Sequence, residues 1–298
     1  MRGNRVLRVA RRVASHVPFM IGSSAEIADR ALRRLMASPR WKRGSFSREE
    51  LAAALVAGRV AGPETSHDRA NVREKVRRLV EGDPDSLFGL SGLDGLDAKQ
   101  VLDLVAREAG FDPGPTDGPT PIDPYRVLEA CEAAGRRLAR AAARGERVLL
   151  ATGHPGGLIL LYMAVGQLLE EFGAELLRPL KDAEWEERGR RRRVRYLHGV
   201  AVLSDGAGTL HTHRPDAMRR MLARARPDLV FADHGFAGAA IEAGVETISI
   251  ADVNDPALVV AKHQGRTEVV IVMDDNVAPE DYWPCFQAMA AAFPEAEG

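Results

Sequence analysis

The chain has 298 residues, 45% of them hydrophobic, which is enough to bury a sizeable core. Its 41 Lys and Arg against 42 Asp and Glu leave a formal net charge of -1, which excludes the bulk basic footprint of a nucleic-acid binder. The two cysteines, Cys131 and Cys285, have no CxxC spacing; this excludes a disulfide framework and a thiolate zinc site and fits a reducing, cytoplasmic compartment.

In chain order, residues 2–13 alternate Val or Leu with Arg, so no secretory apolar region forms. The pattern predicts a basic amphipathic helix burying Val6, Val9 and Val13, with a membrane-surface or nucleic-acid arm as its rival. No later stretch approaches the length of a membrane span. From about residue 23 to 110 apolar residues recur at helical spacing. Ser47 and Glu50 form a capping-box pattern ahead of Leu51, and Asp68 to Val80 carries Val72, Val76 and Leu79 on one face.

Breakers then crowd together: Pro113, Gly114, Pro115, Gly118, Pro119, Pro121 and Pro124 mark a connection without regular structure. Beyond it the pattern becomes helix, strand, turn, helix. A helix is predicted over Tyr125 to Arg144, and strands over Arg147 to Thr152, Val200 to Ser204, Leu229 to Ala232, Thr247 to Ala251 and Val269 to Met273. Their near-continuous apolar runs suit strands covered on both faces. The predicted fold is α/β: an open, mainly parallel Rossmann-like sheet in the C-terminal half with a helical N-terminal subdomain. The expected division is 1–112 helical, 113–124 connection and 125–298 catalytic.

Chemistry follows each strand. The runs lead into Gly153-His154-Pro155-Gly156-Gly157, Asp205-Gly206, Asp233-His234-Gly235, Asp252-Val253-Asn254-Asp255 and Asp274-Asp275-Asn276. In an open parallel sheet such ends share one edge, where ligands bind. The glycine-rich turn opens a helix, so Gly153, Gly156 and Gly157 are candidate phosphate-binding positions. His154, Asp233 and His234 are candidate acids, bases or ligands, although Asp233 also suits a helix cap. Asp233, Asp252, Asp255, Asp274, Asp275 and Asn276 offer the oxygens that hard divalent cations prefer, and their crowding needs a compensating charge. Asp205, His211 and His213 are additional candidates; the HxH pair shares a face if extended. The basic run Arg188 to Arg195 reads as a solvated face or as a steering patch for an anion.

The motifs around Gly153 to Gly157, Ala232 to Gly235, Asp252 to Leu258 and Asp274 to Val277 resemble a family of mainly actinobacterial proteins catalogued as uncharacterised phosphatases. That likeness implies a phosphomonoesterase over nearly the whole chain. A helical part joined to a metal-bearing α/β part is also similar to the damage-control phosphatases, whose Asp-Asn motif is here replaced by Gly153-His154-Pro155. The haloacid dehalogenase pattern is excluded, because Asp274-Asp275 comes near the chain end with no Lys motif after it. Deacetylases with an AHPDD loop carry carboxylates where this chain has glycines.

The expected activity is metal-dependent hydrolysis of a small phosphate monoester with Mg²⁺ or Mn²⁺, with no nucleic-acid or membrane partner and homo-oligomerisation left open. The rivals are a non-catalytic phosphometabolite- or nucleotide-binding module and a nucleotide- or sugar-dependent transferase.

Overall fold

The computed structural model describes residues 31–294, so the amphipathic segment predicted over 2–13 lies outside the described residues. After helical residues 31–36 and a 3-10 turn at Pro39–Trp41 come three capped helices. Helix α1 (Arg48–Ala57) starts at the predicted box, in which the Ser47 hydroxyl accepts the Glu50 amide and the Glu50 carboxylate accepts the Ser47 amide. Helix α2 (Arg69–Val80) is capped by Asp68, and α3 (Ala98–Ala109) by Asp97 with Gln100. The last helix stops at Gly110, whose left-handed φ of 79° suits glycine. Residues 110–123 are irregular apart from isolated bridges such as Gly62 with Ile122.

The second part begins with α4 (Pro124–Ala143), β1 (Arg147–Thr152) and α5 (Pro155–Glu171). Short strands β2 (Glu175–Leu176), β3 (Glu184–Glu187) and β4 (Arg190–Leu197) precede β5 (Val200–Ser204). Helices and strands then alternate: α6 (Asp216–Leu222), β6 (Leu229–Asp233), α7 (His234–Glu242), β7 (Thr247–Ala251), α8 (Pro256–His263), β8 (Val269–Val272) and α9 (Trp283–Ala290).

The strand order is β3-β4-β5-β1-β6-β7-β8, with β2 pairing the start of β1. The run from β5 through β8 is parallel, as predicted, and the buried runs of β5, β6 and β7 explain why no alternation marks them. Strands β3 and β4 add an antiparallel edge that the apolar pattern did not predict. Here the basic run finds its partners: Glu184 to Glu187 lie opposite Arg190 to Arg193. Cross-strand charge pairs replace apolar alternation as the pairing signal.

Helices α4, α5 and α9 pack together on the sheet, and α6, α7 and α8 form the second group, in a doubly wound arrangement. The N-terminal helices join both: α1 packs on α4 and α9, while α2 and α3 pack on α8. One continuous hydrophobic core results, running from Trp41 and Leu55 through Val105 to Phe231 and Met289.

Candidate active site

Among the parallel strands, β1 is followed in the chain by β5 on one side and then by β6 on the other. The crevice between β1 and β6 is therefore the switch point of the sheet, where the carboxyl ends leave room for a ligand. Glycine makes the closure there. A Cβ on Gly153 would lie 2.4 Å from the Thr212 carbonyl oxygen, and one on Gly235 would lie 2.1 Å from that of His213. These contacts let the loop before α6 fold over the strand ends, tied by the Thr212 amide donating to the Gly153 carbonyl at 2.9 Å.

That closure makes a histidine cluster. His211 stacks on His154 with ring centroids 4.5 Å apart, and His213 stacks on His234 at 4.7 Å. The HxH segment is a loop rather than a strand, and its two rings still meet, 5.0 Å apart. Phe88, on the turn after α2, meets His213 and His234 edge-on.

His234 opens α7 with a φ of 46°, a left-handed conformation that costs energy for a residue with a Cβ and is held by its surroundings. Asp233 does not cap the helix. Its Oδ1 accepts the Gly153 amide at 2.6 Å and faces His234 Nδ1 at 2.9 Å. A proton on Nδ1 directs His234 Nε2 toward Asp255 Oδ2 at 3.4 Å and Asp275 Oδ2 at 3.5 Å. His154 Nδ1 lies 3.2 Å from Asp275 Oδ1 but out of line for a hydrogen bond, and both it and Asp275 Oδ2 are buried without a hydrogen-bond partner.

The remaining acidic candidates divide. Asp252 Oδ2 meets His67 Nε2 at 2.9 Å. Asp274 turns to the helical part, accepting from the Ser66 amide at 2.5 Å and the Ser66 hydroxyl at 2.8 Å. Asn276 is exposed, while Asp205, also exposed, accepts the Ala207 and Gly208 amides in a turn. In the glycine loop, Gly156 is open to solvent, and the Gly157 amide donates to the His154 carbonyl at 3.2 Å. A cleft of about 830 Å³, lined by Trp41, Phe46 and Phe286, lies away from this edge and carries none of these histidines or aspartates.

Sequence reasoning missed Ser66, His67, Asn71 and Asn254. Asn254 donates to Asn71 Oδ1 at 2.8 Å. The available signal was the polar cluster of Ser66, His67 and Asn71 around the Asp68 cap at the start of α2.

Burial and charge set the protonation states. Burial opposes a proton on His234, but Asp255, the hydrogen-bonded Asp233 and Asp275 outweigh it and raise the imidazole to about 10. His67 rises to about 9 in the same way, with Asp252 the main source of the gain over burial. His154 is raised by Asp275 against burial. His211 and His213 go the other way, to about 4 and about 3, through burial and the neighbouring imidazoles. Asp252 is pushed well up by burial and by the like charge of Asp275. Asp255 rises to about 6 through burial, which His234 partly offsets. Asp275 moves down, since His154 and His234 overcome its burial.

Fold and site together define a doubly wound α/β protein with a buried imidazole and carboxylate centre at its switch point, a donor set suited to a divalent metal. A family model described as Phosphatase matches residues 46–292. The chain is also similar to Phosphatase SCO2771 of Streptomyces coelicolor, 38% identical over 249 residues that cover 80% of this chain and 93% of the relative. The chain belongs to the Phosphatase family. The match takes in the helical part as well as the sheet and agrees with the actinobacterial resemblance carried by the motifs.

Proposed function

We propose that this protein is a metal-assisted phosphatase acting on a small phosphate monoester. The observation that carries the reading is convergence. Ligand atoms of His154, His211 and His234 lie within 4.8 Å of one another, as do those of His234, Asp255 and Asp275. The residues fit a cation, because Asp275 Oδ2 is a buried carboxylate oxygen with no hydrogen-bond partner, and leaving such an atom unmet is costly. His234, Asp255 and Asp275 would hold the ion. Imidazole in the donor set favours Mn²⁺ over Mg²⁺ within the expected pair.

A bound ion there would neutralise phosphate charge and make water a better nucleophile. The protein supplies the rest. Asp233 fixes the His234 ring so that Nε2 faces the centre. His154, half-buried at the lip beside Asp275, is placed to give a proton to the leaving oxygen. The amino ends of α5, α7 and α8 all start at this edge and favour an anion. Family membership supports the phosphorylated substrate.

The test is phosphate release from a panel of small phosphate monoesters by the full chain, after chelation and after adding back Mn²⁺ or Mg²⁺. Turnover that disappears on chelation and returns with Mn²⁺ is expected. Phosphate binding that survives chelation, with no turnover under any condition, would replace the enzyme with a binding module.

A further inference from the structure

The α2 face that meets the site carries one residue the chemistry above does not use. His67, in the turn just before the Asp68 cap, is followed on one side of α2 by Asn71 and Lys75, four residues apart. The first two are anchored across the crevice, His67 on Asp252 and Asn71 on Asn254. They hold the third toward the same rim, close enough for its charge to act on His213 and Asp255.

Lys75 is half-buried and has no hydrogen bond or ion pair among the described residues, whereas every other cation of α2 is engaged. Arg69 and Arg73 donate to the Asp112 and Pro113 carbonyls, and Arg77 and Arg78 pair with Glu74. The side chain is partly buried, yet its ammonium has no counter-charge within the described protein and stays free to meet an incoming anion. On the catalytic side it faces histidines and carboxylates already committed to one another. A substrate anion would be its missing partner, and lysine serves phosphate well as a point charge.

We infer that Lys75 is a substrate-binding residue whose ammonium takes a phosphate oxygen, so that the N-terminal helices complete the substrate pocket of the α/β part. This deepens the proposed phosphatase reading and rests on it. The pocket then grips a phosphate from two sides, with the His234, Asp255 and Asp275 centre below and Lys75 above.

The experiment is calorimetric titration of inorganic phosphate into Mn²⁺-loaded and metal-free protein, for wild type, Lys75→Met and Lys75→Arg. Methionine keeps the apolar stem and removes the charge, so thermal melts of the variants should match wild type. A charged hydrogen bond lost on binding predicts phosphate affinity weaker by roughly tenfold to a hundredfold in Lys75→Met, with most of it kept in Lys75→Arg. Unchanged affinity in Lys75→Met, in a wild type that does bind phosphate, overturns the role of Lys75 and leaves the phosphatase reading standing. No phosphate binding by wild type in either metal state overturns both.

Discussion

Two adjacent glycines in the loop after β1 have opposite reasons to be there. A Cβ on Gly157 would stand 2.5 Å from the Asp275 carbonyl oxygen, a backbone atom that cannot swing away, whereas one on Gly156 would meet nothing within 4 Å. Gly157→Ala should therefore cost about 1–3 kcal/mol and displace the carboxylate that His154 and His234 share. Gly156→Ala should be neutral or stabilising by about 0.5 kcal/mol, since alanine reduces the freedom of the unfolded chain. Denaturant titration of the two variants checks both; equal losses would mean that the contact with Asp275 is not what demands glycine. At this scale the types of the site residues were legible: Gly153, His154, Asp233, His234, Asp252, Asp255 and Asp275 all stand at or just after the carboxyl ends of apolar strands. Their division of labour was not. Nothing in the sequence separates Asp255, turned to the histidine, from Asp274, which holds Ser66.

At the scale of elements, the turn after α2 that carries Phe88 is pinned to α7. Glu242, at the end of that helix, accepts from the Ser91 amide at 3.0 Å and the Ser91 hydroxyl at 2.5 Å, and pairs with Arg266. The Ser91 hydrogen bonds first, then Arg266, lower its carboxyl from 4.5 to about 2. A depressed folded-state value means that this stabilisation is present above pH 4.5 and is lost as the pH falls toward 2. Glu242→Gln should flatten that part of the acid-unfolding curve, and an unchanged slope between those values would show that the pin contributes nothing. The elements themselves followed their signals where those were apolar periodicity or caps, as in α1, α2 and the five parallel strands. Strands β3 and β4 escaped because their pairing is written in Glu and Arg, which read equally well as a solvated face.

Over the whole molecule, the helical part and the sheet share one core, and they also share backbone. The Asp274 amide donates to the Val60 carbonyl, and Arg43 donates to the Phe293 carbonyl. Cys131 and Cys285, distant in sequence, are both buried, and burial together with the neighbouring Cys285 on α9 pushes the Cys131 thiol up. Among the described residues no helix is long and apolar enough to cross a membrane. Calorimetry of the full chain should therefore give a single cooperative transition. Two resolved transitions would mean that residues 31–112 and the sheet unfold independently.

The sequence by itself determined the α/β class, the positions of the parallel strands and the edge at which the reactive residues gather. Those properties depend on local pattern: continuous apolar runs for covered strands, and Gly, Asp and His in the turns that follow them. Which of those residues meet was decided only by the tertiary structure. The closing of the 205–214 loop on Gly153, the left-handed turn at His234 and the docking of α2 bring His67, Asn71 and Lys75 to the rim, and each depends on partners far away in the chain. Contacts of that kind leave no periodicity in the sequence around either partner.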